Sequence, residues 1–562
     1  MSLVVKKKIG SENIPLYKEN LSYPNNIKDS ASVDGKLVNG RYAKYVLLVL
    51  MLVSFFNFID RQILSILAED IKADLGLSDG DLGFLYGTAF AVFYAIFGIP
   101  LARLADSWQR KKLISIGLGF WSLMTALSGT AKGFTSLALC RFGVGVGEAS
   151  ATPAAYSFLY DYFSPRYRTT VLAIYNSGIY LGMGIGLFLG GMILDGWNGA
   201  YPLSSEAPFS LKGWQAAFMA VGLPGLLLAI WVATLKEPRR GLGDGVAADV
   251  AKAAKSEHPL RILKTELLPL IPLINLWVLR QVGAGSKALW LNVIFGTSFV
   301  LIAALMIDAT GETLQWSALC AGLYCVFSWV QSLVCRDPVC FGLIFRCKTL
   351  CYLYIAVGLN VFTAVAIIFW SIPYYQRYHG VDASEIGSVM GLFIAVAGLI
   401  GVLLGGVLAD WLRQYTRRAK LFICFGAWLL SLIAGVCLLL TDNLSIAYFC
   451  SFIFFLAGPL SAAPLVSTIN DLVIPRIRAV ATAVNIVATT FIGTALGPYI
   501  IGVLSDTFVA EGLESGEALR QSLLMGLAPS LVALLFLMAA IKHFIADDDS
   551  RLDRARALGE SM

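Results

Sequence analysis

Runs of about 20 apolar residues recur along this chain, separated by short polar breaks, and a helix of that length crosses a bilayer. Read this way, spans lie near Tyr45–Ala68, Leu82–Leu104, Leu113–Thr130, Phe134–Phe163, Thr170–Ile193 and Trp214–Leu235. A polar stretch follows from Lys236 to Glu266. Further spans lie near Ala288–Ile307, Trp316–Cys335, Leu350–Ile372, Ile386–Ala409, Lys420–Leu440, Leu444–Val473, Val480–Leu504 and Ser522–Ile545. The run Leu267–Leu279 is too short to cross, which predicts an interfacial or re-entrant piece. The pattern predicts an all-α integral membrane protein of about 14 helices.

Composition agrees. Of 562 residues, 57% are hydrophobic and 14% charged, against roughly 25% charged in a soluble domain. The net charge of +6 is dispersed among loops, so it points to membrane topology and away from nucleic acid. Arg110-Lys111-Lys112, Arg166, Arg168, Arg239-Arg240, Arg413, Arg417-Arg418, Arg476 and Arg478 fall in one set of alternate loops. Asp70, Asp74, Asp79, Asp81, Asp195, Glu206, Asp308, Glu312, Asp442, Glu511, Glu514 and Glu517 fall in the other. The excess of Lys and Arg on cytoplasmic loops places the first set and both termini inside. No signal-peptide pattern precedes the first span, which is expected to act as its own anchor in the plasma (inner) membrane. The ten cysteines lack metal-site spacing, and His258, His379 and His543 lie in or beside polar loops. No metal or cofactor is expected.

The two halves repeat. Gly76, Asp81, Gly83, Gly87, Ala91, Ala105 and Asp106 recur at one offset as Gly380, Glu385, Gly387, Gly391, Ala395, Ala409 and Asp410. Asp161-x-x-x-Pro165-Arg166-x-Arg168 recurs as Asp471-x-x-x-Pro475-Arg476-x-Arg478. Parallel repeats are how many transporters frame a central site open to either side. The expected organisation is a disordered cytoplasmic N-terminus (1–43), a six-helix bundle (44–235), a cytoplasmic linker with an inserted helix pair (236–345), a second six-helix bundle (346–545) and a cytoplasmic tail (546–562).

Leu101-Ala102-Arg103-Leu104-Ala105-Asp106-Ser107-Trp108-Gln109-Arg110-Lys111-Lys112 resembles the loop motif of the major facilitator superfamily, with a second copy at Gly405-Gly406-Val407-Leu408-Ala409-Asp410-Trp411. Asn57-Phe58-Ile59-Asp60-Arg61, Gly119-Phe120-Trp121-Ser122, the stretch from Arg141 through Glu148-Ala149-Ser150, and the stretch from Gly213-Trp214-Gln215 to Gly241 resemble its Spinster-like branch. Ala102 and Gln109 replace the motif's usual glycines, and Ser107 its basic residue. The resemblance implies two six-helix bundles and transport of amphiphilic lipids such as lysophospholipids or sphingoid phosphates, with proton coupling in some members. The inserted pair lies outside that pattern.

Charges inside hydrocarbon are functional candidates by default. Asp60, Arg61, Arg141 and Glu148 all fall within spans. Arg141 and Glu148, two turns apart, share a helix face. The run Gly143, Gly145, Gly147 between them predicts close approach to a neighbour. Asp60 lies roughly 13 Å, and Arg141 roughly 10 Å, from the outer ends of their spans, so they are expected to meet as an ion pair that breaks and re-forms. Glu148 is the expected proton carrier, tuned in turn by Arg61 or Arg141. Asp106 and Asp410 near Arg110 and Arg417, and Asp161 and Asp471 near Arg166 and Arg476, are expected to form an inner gate of charge-assisted pairs. Tyr175, Asn176, Tyr180, Asn360, Trp370 and Asn485 are the candidate cavity residues. The expected partners are a small-molecule or lipid substrate, protons and membrane lipids, with the protein acting as a monomer. A carrier of small organic anions or drugs on the same fold is the alternative, and a passive channel a remote one. An intramembrane aspartyl protease fails because Asp244 lies in the polar stretch, away from Asp161.

Overall fold

A computed structural model describes residues 38–164, 166–240, 242, 259–474 and 477–559, and the side chain of Asp106 lies outside that description. The described residues form helices and connecting turns, without a strand. Among the described residues twelve helices are long and apolar enough to cross a membrane, and the more charged Arg110–Ser128 and the broken segment 134–162 bring the set to fourteen. The first bundle comprises α1 (Arg41–Ile66), α2 (Asp79–Tyr86 and Thr88–Ser107), α3 (Arg110–Ser128), α4 (Phe134–Glu148 and Ala151–Tyr162), α5 (Arg168–Ala200) and α6 (Gly213–Ala233). The inserted pair is α7 (Ser286–Thr310) and α8 (Thr313–Arg336). The second bundle comprises α9 (Lys348–His379), α10 (Ala383–Arg413), α11 (Ala419–Leu440), α12 (Leu444–Leu460 and Ala462–Asp471), α13 (Arg478–Ala488, a π-turn at Thr489–Thr494, and Gly497–Ala510) and α14 (Ser515–Met525 and Ala528–Asp549).

Several spans expected as single helices are broken. The chain breaks in α2 at Gly87, whose φ of −88° and ψ of −90° leave the helical region. The first segment of α2 starts on a capping box, in which Ser78 Oγ accepts from the Asp81 amide and the Asp81 carboxylate from the Ser78 amide, both at 3.0 Å. In α13 the π-turn marks the break, a common place for a helix to bend. The short run near Leu267–Leu279 is not one straight piece, and its bend has the form of a broken span or a re-entrant loop. Helix Pro259–Leu267 and the 3-10 turn Leu268–Leu270 meet Ile274–Gln281 at a bend of 106°, through Leu273 at φ +69°.

The bundles meet along α1/α9, α2/α13 and α5/α10. Glycine sets these distances. On α5, Gly178, Gly182, Gly186 and Gly190 recur every four residues and lie against the α1 backbone or Ile side chains from Met51 to Ile66. On another face of α5, Gly184 meets the Gly391 carbonyl, and a Cβ at Gly191 would sit 2.7 Å from the Ala383 carbonyl oxygen on α10. Helices without a hydrophobic drive between them gain stability from such close van der Waals contact.

The seams are tight at one end only, where the loops carry Glu69, Asp79, Asp195 and Asp442; this is called the acidic end, and the opposite one the basic end. At the acidic end Tyr86 stacks on Phe369 with centroids 4.3 Å apart, Ser65 Oγ donates to the Phe369 carbonyl at 2.6 Å, and Thr88 Oγ1 donates to the Ala495 carbonyl at 2.7 Å. Leucine at Gly182 would force α5 off the Phe55 backbone. Overpacking of this kind typically costs about 1–3 kcal/mol, so Gly182→Leu is expected to lower the thermal unfolding midpoint of the purified protein.

Candidate functional site

The four intramembrane charges converge in the first bundle. Asp60 and Arg61 come from α1, and Arg141 and Glu148 from consecutive turns of α4. Asp60, Arg141 and Glu148 are each 1% exposed. The glycines between Arg141 and Glu148 allow this: a Cβ at Gly145 would lie 2.5 Å from the Phe90 carbonyl of α2, and one at Gly147 would lie 2.8 Å from Trp121 of α3. The expected close approach of that run is present on two neighbours.

Arg61 Nε donates to Glu148 Oε2 at 2.6 Å. The guanidinium also lies 4.4 Å from the Phe90 ring, 4.8 Å from Phe58 and 4.9 Å from Tyr94, a geometry that stabilises a cation on aromatic faces. Its side chain keeps 24% of its surface accessible, so a cation already paired with a buried carboxylate still presents an open edge.

The expected ion pair between Asp60 and Arg141 is not formed in this structure. Arg141 instead donates to two backbone carbonyls, Nε to Leu85 and Nη1 to Asp60, both at 3.3 Å. Leu85 stands in the last turn before the break at Gly87, where a helix leaves carbonyls without intrahelical partners and a nearby Arg can cap them. Asp60 Oδ1 makes no hydrogen bond of good geometry, with Thr125 Oγ1 and Trp121 Nε1 of α3 as the side-chain donors beside it, and Glu148 Oε1 likewise makes none, with Asn57 beside the carboxylate. Unsatisfied buried carboxylate oxygens are costly if ionised and point to groups that exchange protons or partners.

The gate residues are placed differently from expectation. Arg110 is buried and pairs with Asp161, with Glu237 Oε1 at 2.9 Å and with the Ser157 carbonyl at 2.9 Å. Asp161 therefore takes Arg110 and not Arg166, which is exposed and stacks over Tyr167 at 5.7 Å. Asp471 pairs with Lys420 at 2.5 Å, and Arg476 lies outside the described residues. Asp410 is exposed, and Arg417, its expected partner, binds Asp548 and Asp549 at 2.6 Å each. All these pairs stay within one bundle. Arg110 opens α3 beside the last turns of α4, so its nearest carboxylate belongs to its own bundle.

Among the described residues, Arg377 joins the bundles by ion pairs at the acidic end. Asp79, fully buried at the start of α2, accepts from Arg377 Nη1 at 2.6 Å and Nη2 at 2.7 Å, from Lys72 at 2.5 Å and from Ser505 Oγ at 2.7 Å. Arg377 also grips Glu69 at 2.7 Å. Asp506 of α13 accepts from the Asp79 and Gly80 amides at 3.0 and 2.7 Å, and Asp195 of α5 accepts from the Ser384 amide of α10 at 2.8 Å. Sequence reasoning missed this clasp, because Asp79 read as one of many acidic loop residues. A signal was available: Arg377 is a cation on the side where acidic loops dominate.

Tyr180 and Asn360 line a cavity of about 60 Å³ between α5 and the second bundle, with Met183, Thr363, Phe454 and Ser530. Asn176 Oδ1 accepts from Tyr156 OH at 2.9 Å, and Tyr175 is buried against Tyr156. Trp370 lines no cavity: it is buried and donates to the Pro498 carbonyl at 2.9 Å, because its face of α9 meets α13. Asn485 is buried, with Oδ1 unpartnered. Among the described residues, no group of three His, Cys, Asp or Glu could hold a metal ion.

Two helical bundles in parallel repeat, with charges buried between their helices, define a membrane transporter. The chain belongs to the Major Facilitator Superfamily, whose model matches residues 50–498. It is 26% identical over 507 residues to an MFS-type efflux pump of Mycolicibacterium smegmatis, covering 90% of this chain and 92% of that one. It is 27% identical over 512 residues to the sphingosine-1-phosphate transporter SPNS2 of Danio rerio, covering 89% and 84%. In fold it resembles a bacterial homolog of the human lysosomal transporter Spinster in an inward-facing and occupied conformation, with a TM-score of 0.62 at 24% identity over 91% of this chain and 98% of the other. It is a Spinster-like multi-pass membrane protein of that superfamily.

Removing Arg377 would leave Asp79 buried with fewer cations, and breaking such a pair costs about 3 kcal/mol. Arg377→Gln is therefore expected to open the acidic end, read as faster amide exchange in residues 79–87 and 497–505.

Proposed function

We propose that this protein is a proton-coupled secondary transporter that moves an amphiphilic, lipid-like substrate by alternating access, with the acidic end facing outside. The observation that carries the reading is the Arg61–Glu148 pair: a buried carboxylate held by a guanidinium that also lies on three aromatic faces, on a side chain that keeps 24% of its surface accessible. An ionised Glu148 holds Arg61. An arriving anionic headgroup competes for the guanidinium, and the carboxylate that loses its cation takes a proton, since burial disfavours the unpaired charge. Substrate and proton thus exchange for one cation. Asp60 and Arg141 offer a second pair that can form when Arg141 leaves the Leu85 and Asp60 carbonyls. The cavity beside Tyr180 and Asn360 is too small at about 60 Å³ to hold an acyl or sphingoid chain in this state, and its largely apolar lining would receive one only as the bundles part, with the Asn360 amide as a polar anchor.

The clasp at Asp79 supports a state closed to the outside, and the glycine seams supply surfaces that can part and re-form as rigid bodies. The SPNS2 relative is a sphingosine-1-phosphate transporter by name, which favours a phosphorylated or zwitterionic amphiphile here.

The test is a proteoliposome assay with an internal pH dye, challenged with lysophospholipids, sphingoid phosphates, organic anions and cationic drugs. Lipid-dependent proton flux is expected in the wild type and background flux in Glu148→Gln. Arg61→Ala is expected to abolish transport, whereas Arg61→Lys, which keeps the charge but loses the planar fork, retains a part. Flux with organic anions or drugs alone would overturn the lipid assignment, and full pH-driven transport by Glu148→Gln would overturn the proton-carrier role.

A further inference from the structure

The inserted pair is a rigid unit. The Asn275 amide donates to Ser328 Oγ at 2.6 Å and to Tyr324 OH at 2.9 Å, Asn292 donates to Gln331 Oε1 at 2.7 Å, and Gln331 donates to the Ala288 carbonyl at 2.6 Å. Phe295 stacks on Phe327 with centroids 4.3 Å apart. These bonds tie Ile274–Gln281, α7 and α8 to one another. Buried amides that are satisfied mutually hold one geometry, because every alternative leaves a donor unmet.

That unit lies on α2. Helix Pro259–Leu267 and α8 both run along Thr88–Ser107, and Glu266 approaches Arg103 at 3.9 Å. From this seat α8 reaches across the seam to α13. Trp316, its Nε1 fixed by Thr310 Oγ1 at 2.9 Å, sets its ring edge-on to Tyr499 with centroids 5.9 Å apart. Leu319 joins the buried cluster that holds Val92 of α2 with Phe491 and Ala495 of α13. Gly322 lets α8 approach both helices at once: a Cβ there would lie 2.7 Å from Phe491 and 2.8 Å from Val92.

We propose that the inserted pair is a strap that rides on α2 and clamps α13 through Trp316, Leu319 and Gly322, so that parting the α2/α13 seam at the acidic end requires α8 to leave α13. The inference rests on the alternating-access reading above. In a rocking motion α2 and α13 move with opposite bundles, and a rigid element in contact with both must release one. The longer contact is with α2, so the aromatic contact to α13 gives way. The strap adds to the clasp at Asp79 from a separate segment of chain, and it favours the state closed at the acidic end.

Amide exchange on the full-length protein in nanodiscs tests this, because exchange reads the opening of each region separately. The expected result for Trp316→Ala is several-fold faster exchange in residues 79–87 and 495–505, with 419–440 unchanged. Gly322→Val, which wedges α8 off Phe491, is expected to do the same, and Trp316→Phe to stay near the wild type. Unchanged exchange at the seam in Trp316→Ala, with faster exchange in Arg377→Gln, would overturn the strap and leave the transport reading standing. Unchanged exchange in both would overturn the two together. Uniform acceleration that includes 419–440 would show loss of general stability and would also overturn the strap.

Discussion

A charge placed in hydrocarbon needs a partner, and the arrangement of this protein follows from how Asp60, Arg61, Arg141 and Glu148 find theirs. Water cannot solvate Asp60, Arg141 and Glu148 at 1% exposure, so their neighbours must. Glu148 takes Arg61, Arg61 takes three aromatic faces as well, and Arg141 takes the Leu85 carbonyl where α2 breaks and the Asp60 carbonyl of α1. One break in a helix therefore serves two ends. Gly87 lets α2 bend across α13, and the Leu85 carbonyl beside the bend holds a guanidinium that would otherwise compete for Glu148. The network is left with unmet carboxylate oxygens on Asp60 and Glu148. Its charges are neither fully compensated nor free, a condition that suits a site whose pairs exchange.

Glycine is the second constraint. In a bilayer the helices gain nothing from burying apolar surface against each other, so contact distance decides which pairs hold. The glycines of α5 serve two partners on two faces, α1 within the bundle and α10 across the seam. The first contact builds a bundle and the second joins it to the other. The same residue type thus supports permanent and separable contacts, and the difference lies in what surrounds them. The α5/α10 and α2/α13 seams are sealed at the acidic end by hydrogen bonds and ion pairs from Asp195, Asp79 and Asp506.

Polar groups divide between the two ends of the molecule. At the basic end Arg110, Lys420 and Arg417 bind carboxylates of their own bundles. At the acidic end Arg377 binds across bundles. Intrabundle pairs stiffen each half, whereas the pairs from Arg377 hold the two halves together at the acidic end. On the alternating-access reading proposed above, the second kind is the one that must break.

Much was legible in the order of residues. The fourteen spans, the repeat and the candidate charges Asp60, Arg61, Arg141 and Glu148 follow from apolar run length, from matching Asp, Pro and Arg positions, and from the cost of charge in lipid, all of which are local or periodic properties. Which charge meets which is not local. Arg141 lies near Asp60 yet binds its backbone, Asp161 passes over nearby Arg166 for Arg110, and Trp370 faces a neighbouring helix and not a cavity. Helix rotation and the position of breaks decide such pairings, and both are set by packing between segments far apart in the chain. The clasp at Asp79 joins residues separated by some three hundred positions, and the strap joins an insert to both halves. By itself the sequence determined what must be buried in the membrane; only the tertiary structure decided the partners, because partner choice depends on distances that close packing of helices alone defines.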